Sequence, residues 1–480
     1  MIDAQDTAVA GTSGFLKSAL SPEGRHSETE VLAWLQSQQT RQKLKVCPIP
    51  FAELDQWSFI KHPLHLAHRS GKFFTIEGRR VTTDFGPVLR WDQPIICQPE
   101  IGILGIITCT FNGVRHFLMQ AKIEPGNING VQISPTVQAT RSNYTRVHRG
   151  ARTPFLEFFV EPGRARLLVD QLQGEQGSRF YRKRNRNMIV QIPEEVGADL
   201  SPDERFCWLT LGQLKQLLRE DNLVNMDARS VLACVPFSVP DVPLLDKRPE
   251  PNGQGSLHIA PDLLASLRHN DQAHCSTDEL IHWLTDLRAR YTLQLQPRPL
   301  DQLDCWQMNA NEIRHESGHY FSVIAVQVEA GSREVRRWTQ PLLKHPGYGL
   351  NGFLMQRIHG IAHLLVRACM YPGNHELFEL GSTVSRSNAD IHFGRPDAPR
   401  FLDYFYNPPL DQVRYAAVQS EEGGRFYHYQ NRYIIRELPS DITVEPSPAH
   451  RWMTLGQIQN FVRHGYFNIE GRNLLACLEW

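Results

Sequence analysis

Two glycine turns carry the side chains best suited to grip an anion. EQGSRF (175–180) and EEGGRF (421–426) each set a carboxylate four residues ahead of an arginine, Glu175 with Arg179 and Glu421 with Arg425. Each pair is either a plain ion pair that holds its turn, or an arginine for phosphate beside a carboxylate that orients it or a ribose hydroxyl. The basic run RKRNRN (182–187) strengthens the phosphate reading for the first turn. Upstream, ISPTVQATRSNYTRVHRG (133–150) offers Thr140, Arg141, Ser142, Asn143 and Tyr144, hydroxyls, an amide and a guanidinium fork that suit a sugar and a diphosphate. The matching stretch in the second half keeps Ser385, Arg386, Ser387 and Asn388 but has Ala389 where Tyr144 would fall. His68 and His315 share an H-x-S-G turn and are either structural hydrogen-bonders or candidates for a proton shuttle, since free imidazole titrates near neutrality. Glu124, whose counterpart is Tyr371, is a second possible base. Trp57 and Trp306 either plug a core or stack an indole on a flat ligand.

The elements that must position these groups are also written twice. HRSGKFF (68–74) returns as HESGHYF (315–321), WDQP (91–94) as WTQP (338–341), and EPGN (124–127) as YPGN (371–374), all at one common offset. Such a register predicts an internal duplication. The expected organisation is a polar leader over 1–27, a first repeat over 28–236, a Pro/Gly-rich linker over 237–275 and a second repeat over 276–480. Each repeat opens with an amphipathic helix (VLAWLQSQQ; LIHWLTDLRARY). Apolar hairpins follow, turning at Asn112-Gly113 and His359-Gly360. A closing helix starts from a capping box, Thr210 with Gln213 and Thr454 with Gln457. Interleaved strands and helices without βαβ periodicity predict an α+β class.

Composition narrows the functions. Lys plus Arg equals Asp plus Glu at 51 each, so no global field draws the chain to nucleic acid or an anionic membrane. Nine cysteines without a C-x-x-C pair fit a reducing cytoplasm better than a disulfide framework or thiolate zinc site. No stretch is apolar enough for a membrane span. There is no G-x-G-x-x-G after a strand, Walker loop, G-x-S-x-G elbow or H-E-x-x-H.

SGKFF, WDQP, QAKIEPGN, SPTVQATRSNY, QGEQGSRF, KRNRNM, WLTLGQL and VNMDARSVLA together make the chain resemble the nucleotide-diphosphate-hexose 2,3-dehydratases of deoxysugar biosynthesis, from about residue 28 to the C-terminus. The resemblance implies two tandem Nudix-like α/β/α domains, assembled as a homodimer. It implies a dTDP-4-keto-6-deoxyglucose substrate that loses its C2 hydroxyl without a cofactor or metal, and a downstream NADPH-dependent 3-ketoreductase. SEEGG (420–424) lacks the upstream R-E of a true Nudix metal box. In this reading the C4 ketone acidifies the C3 proton, a base removes it, and the C2 hydroxyl leaves with an acid's help. His68 is then the expected base, with Glu124 and Tyr144 behind it. Trp57 and Trp306 would stack on thymine, while residues 140–144, Glu175, Arg179 and the counterparts Ser385 to Asn388, Glu421 and Arg425 hold sugar and diphosphate. The rival readings are a chelator-sensitive sugar-nucleotide pyrophosphohydrolase and a non-catalytic sugar-nucleotide binding protein.

Overall fold

Local signals set the elements before packing does. Ser27 with Glu30 and Ser276 with Glu279 close capping boxes that start the helices Glu28–Arg41 and Thr277–Arg290. Val31 and Leu35 in the first, and Leu280, Leu284 and Leu287 in the second, recur about a turn apart and are buried. Thr210 and Thr454 close the boxes read from the sequence, opening the helices Leu211–Leu217 and Leu455–Arg463. Asn112 and Gly113 sit at φ 50° and 73°, His359 and Gly360 at 53° and 79°. This is the left-handed pair a two-residue hairpin turn requires. It joins Gly102–Phe111 to Val114–Ile123, and Gly349–Ile358 to Ile361–Cys369.

The computed structural model describes residues 14–140, 153–200, 203–237, 261–331, 337–387 and 398–478. Each hairpin forms the centre of a seven-stranded sheet. In the first, Gly102–Phe111 runs parallel to Arg184–Gln191, and Val114–Ile123 antiparallel to Phe206–Thr210. In the second, Gly349–Ile358 runs parallel to Gln430–Leu438, and Ile361–Cys369 antiparallel to His450–Thr454. Two further sheets join the halves by exchange. Leu44–Ile49 pairs antiparallel with Ser322–Ala330, over the register Leu44 with Ala330 to Ile49 with Ala325. Leu293–Arg298 pairs antiparallel with Thr75–Thr83, Leu293 opposite Thr83 and Arg298 opposite Gly78.

The exchange overturns the expectation of two tandem Nudix-like α/β/α domains from an internal duplication. The chain is a single mixed α+β body with several sheets, and it offers no sign of two self-contained copies of a domain. Its largest apolar cluster is likewise common property, joining Phe117, Ile189 and Leu214 to Phe353, Leu364 and Tyr433. The physical reason lies in what the paired motifs contact. They specify pairings between the halves, and although each half keeps a smaller apolar cluster of its own, the largest cluster is closed only by both together.

Candidate active site

The P-G-N motifs and the glycine turns interlock across the body. Gly126 N–H donates to the Gly423 carbonyl at 2.7 Å, and His428 N–H donates back to the Gly126 carbonyl at 2.9 Å. Gly373 N–H donates to the Gly177 carbonyl at 2.6 Å, and Arg182 N–H to the Gly373 carbonyl at 2.8 Å. Approach is so close that a Cβ on Gly126 would lie 1.5 Å from the Phe426 carbonyl oxygen, and one on Gly373 1.6 Å from that of Phe180. The W-x-Q-P motifs brace the same turns. Gln93 accepts from the Trp91 indole and donates to the Ser178 carbonyl, as Gln340 accepts from Trp338 and donates to that of Gly424.

This interlock places charged groups from both halves in one cluster. Glu124 Oε1 accepts from Gln138 at 3.0 Å and faces Lys122 Nζ at 3.2 Å, while its Oε2 is buried and has no hydrogen-bond partner among the described residues. Glu175 Oε1 accepts from Asn185 Nδ2 at 2.6 Å, and its buried Oε2 is unpartnered in the same sense. Gly102 N–H donates to Asn185 Oδ1, which fixes the amide so that its NH₂ faces Glu175. Glu422 and Arg425 come from the opposite half, and Asp227 from the first turn of the helix Met226–Leu232.

Burial dominates the electrostatics there. It raises the Glu175 carboxyl to about 7, helped by the charge of Glu422 and opposed by Arg472, Lys183 and Asn185. It pushes Asp227 well above the usual carboxylate range, reinforced by Glu422, Glu175 and Glu124. Glu422 rises too through burial, against the pull of Arg425 and with the push of Glu124. Lys183 reaches the Glu100 carbonyl, and burial lowers its pKa. The basic run 182–187 divides at its start, where Arg182 turns the chain at φ 48° ahead of the strand Arg184–Gln191. Lys183 is buried at the cluster, whereas Arg182 is exposed beside Tyr181 and Arg186 pairs with Asp170 at 2.5 Å.

A second cluster occupies the counterpart place with different chemistry. Glu421 Oε1 accepts from Asn431 and from the Tyr433 hydroxyl, and its Oε2 from Gln176, so both oxygens are engaged. Arg179 donates to Ser387 at 3.2 Å and to His345 at 3.3 Å, lying 4.4 Å from the Phe321 ring centroid. Tyr371, Arg367, Tyr429 and Glu470 complete it. Burial, with the Arg179 charge, drives His345 well below the ordinary histidine range. Where the first cluster has Glu124, Lys183 and Glu422, this one has Tyr371, Tyr429 and Gln176.

Of the sequence-expected residues, Glu124, Glu175 and Arg425 meet in the first cluster, and Arg179, Ser385, Ser387 and Glu421 in the second. The carboxylate and arginine of each turn are not ion pairs. Arg179 crosses to Ser387 and Arg425 to Gln98, at 2.9 Å. Trp57 is buried among Phe73 and Phe74, and Phe74 in turn lies beneath Arg425, 4.2 Å from its guanidinium carbon. Trp306 packs on Phe321 and donates to the Asp92 carbonyl at 2.7 Å. His68 packs edge-on against Trp57, ring centroids 5.3 Å apart, with its Nδ1 2.8 Å from Ser70 Oγ. Thr140 is half-buried at the end of the strand Val137–Ala139, and Arg386 is exposed. Arg141, Ser142, Asn143, Tyr144 and Asn388 lie outside the described residues. Sequence reasoning passed over Asp227 and Glu422 as site residues. Their signal was a carboxylate inside apolar or glycine-rich runs, in VNMDARSVLA and SEEGG.

The profile of the family described as NDP-hexose 2,3-dehydratase matches residues 28–235 and 277–478. The chain belongs to that family. A dTDP-4-dehydro-6-deoxy-alpha-D-glucopyranose 2,3-dehydratase of Saccharopolyspora spinosa is 44% identical over 99% of this chain and 98% of its own length. Relatives of the same description from Amycolatopsis orientalis and Streptomyces violaceoruber are 42% and 40% identical, over 96% and 93% of this chain and 92% and 96% of theirs. Among the described residues no group of three or more His, Cys, Asp or Glu side chains is arranged to hold a metal ion, and no helix is long and apolar enough to cross a membrane.

Proposed function

We infer that this member of the family is a dTDP-4-keto-6-deoxyglucose 2,3-dehydratase, a lyase of deoxysugar biosynthesis whose elimination takes place at the cluster around Glu124. The supporting observation is the state of that carboxylate: one oxygen is held by Lys122 and Gln138, while the other is buried without a hydrogen-bond partner among the described residues. An anion fixed this way is a base poised for the C3 proton, which the C4 ketone acidifies. Arg425, Lys122 and Lys183 provide positive charge for the oxyanion that develops on O4 or for the diphosphate. Glu124 stands ahead of His68 as base, because Glu124 shares its cluster with Lys122, Glu422 and Asp227, whereas the contacts that place His68 are Trp57, Phe73 and Ser70. In the second cluster Tyr371 stands in the place of Glu124 and both oxygens of Glu421 are engaged, while Glu470 keeps one buried oxygen without a hydrogen-bond partner among the described residues.

The product is a 3,4-diketo-2,6-dideoxy sugar nucleotide, which an NADPH-dependent 3-ketoreductase would consume. All nine cysteines are free thiols, which supports a reducing cytoplasm as the compartment. A homodimer is the assembly the family resemblance supports.

Incubation with the 4-keto sugar nucleotide, read by mass, should show loss of one water with or without EDTA. Chelator-sensitive release of a nucleoside monophosphate would instead mark a pyrophosphohydrolase. Saturable binding without water loss, even with a reductase and NADPH present, would mark a binding protein. Glu124→Gln should lower kcat by about 10²–10⁴-fold with substrate affinity kept. His68→Ala should leave elimination close to that of the unaltered protein.

A further inference from the structure

Elimination from C2 needs a proton donor as well as a base, and comparison of the two clusters singles one out. In the second cluster Glu421 is saturated, its Oε2 taken by the Gln176 amide. In the first cluster the counterpart of Gln176 is Glu422, which brings a negative charge instead of an amide donor. Glu175, the counterpart of Glu421, is 5% exposed, with one oxygen bound and the other unclaimed among the described residues. Asn185 donates to Oε1, so in the carboxylic acid form the carbonyl oxygen is Oε1 and the proton sits on Oε2. The hydrogen-bonding frame thus aims the acidic proton away from the protein's own acceptors.

Resting on the elimination reading above, we propose that Glu175 is the general acid that protonates the departing C2 hydroxyl, and that Glu422 is the positioning residue that keeps it a donor. The exchange of amide for carboxylate separates a catalytic carboxyl from a structural one. Burial and the Glu422 charge together push Glu175 above the usual carboxylate range, toward the protonated form that a donor needs.

The step balances without an outside reagent. Glu124 takes the C3 proton, and the bonding pair becomes a C3–C4 enolate with its charge on O4. That pair then forms the C2–C3 double bond as the C4 carbonyl returns. The C2–O bond breaks, and the Glu175 proton joins the leaving oxygen as water. Ketonisation of the resulting enol moves the O3 proton to the Glu175 carboxylate and the Glu124 proton to C2, which resets both groups.

The full-length protein with the 4-keto sugar nucleotide in D₂O tests this, because exchange at C3 reports the base step and loss of water the acid step. Glu175→Gln should retain substrate binding and C3 exchange but lose water about 10²-fold or more slowly. Glu422→Gln supplies the amide found at Gln176, so Glu175 should be capped and ionised. The pH above which elimination falls should then move down from about 7, and activity should recover at lower pH. Glu422→Asp, which keeps the charge, should keep the profile near that of the unaltered protein. Unchanged water loss in Glu175→Gln, or loss of exchange together with water loss while binding persists, overturns the assignment. If Glu175→Gln does not fold, an unshifted Glu422→Gln profile overturns it. Failure of the unaltered protein to release water refutes the underlying reading instead.

Discussion

Replacing Gly126 with alanine should unseat the contact that builds the cluster. The added methyl would lie 1.5 Å from the Phe426 carbonyl oxygen, 2.7 Å from its carbon and 2.8 Å from the Gly423 oxygen. Ordinary contact needs about 3.5 Å, so one backbone must retreat by about 2 Å. Overpacking of this kind costs about 1–3 kcal/mol. The retreat also breaks two backbone hydrogen bonds, Gly126 to Gly423 and His428 to Gly126, worth about 1 kcal/mol each. The expected loss is about 3–5 kcal/mol, and on a urea slope of about 3 kcal/mol per M the midpoint falls by on the order of 1 M. Glu124 and the Glu422–Arg425 turn ride on the displaced segments, so water loss from the 4-keto substrate should collapse alongside. Gly130→Ala is the comparison. Its methyl meets nothing within 4 Å and only the φ of 76° is penalised, at about 1–2 kcal/mol. A Gly126→Ala protein with an unaltered midpoint and unaltered elimination would refute the interlock as the origin of the site.

Three more outcomes are expected. Gly373→Ala, whose methyl would lie 1.6 Å from the Phe180 oxygen, should lower the midpoint about as much as Gly126→Ala. Asp92 is buried and joins Arg80 at 2.7 Å to the Asp304 N–H at 3.0 Å. Burial raises its carboxyl, but the Arg80 hydrogen bond, the Asp304 N–H and the charges of Arg80 and Arg298 leave it below the usual value. Its stabilisation is therefore complete above the unfolded pKa of about 4 and is lost as pH falls through the folded value. Asp92→Ala should cost about 3 kcal/mol in denaturation at pH 7 and flatten the acid limb of the stability profile. His116 and His363 accept the Arg25 and His274 N–H groups at 3.1 Å through Nε2, and burial lowers both pKa values. These contacts hold above the unfolded histidine pKa of about 6.5 and weaken as pH drops through the folded values, so amide exchange at Arg25 and His274, corrected for intrinsic rate, should rise on acidification.

Local features of the fold were legible because their causes are local. Capping boxes and the Asn112-Gly113 turn act within a few residues, and the structure keeps each of them. The P-G-N motifs were visible as repeats, yet their purpose was not, since the partner of Gly126 lies at Gly423. Spacing misled at the glycine turns. Glu175 and Arg179 are close in sequence, but the arginine crosses to Ser387 while the carboxylate turns to Asn185. Asp227 and Glu422 looked like ordinary charged residues because burial, which makes them unusual, is a property of the assembled body. Hydrophobic pattern specifies which face of a strand is inward but not which sheet receives it. For that reason the exchange of Leu44–Ile49 and Leu293–Arg298 was not anticipated.

That exchange dictates when the protein can finish folding. During synthesis the Gly78–Thr83 edge emerges long before the segment Leu293–Arg298 that pairs with it. Leu44–Ile49, made early, likewise waits for Ser322–Ala330. Domains that close on themselves can fold one after another as they leave the ribosome. Here the nascent first half carries unsatisfied strand edges until well past its own completion, so the elongating polypeptide is exposed to edge-to-edge aggregation, and the emergence of Leu293–Arg298 and Ser322–Ala330, not completion of the first half, sets the earliest point of cooperative closure.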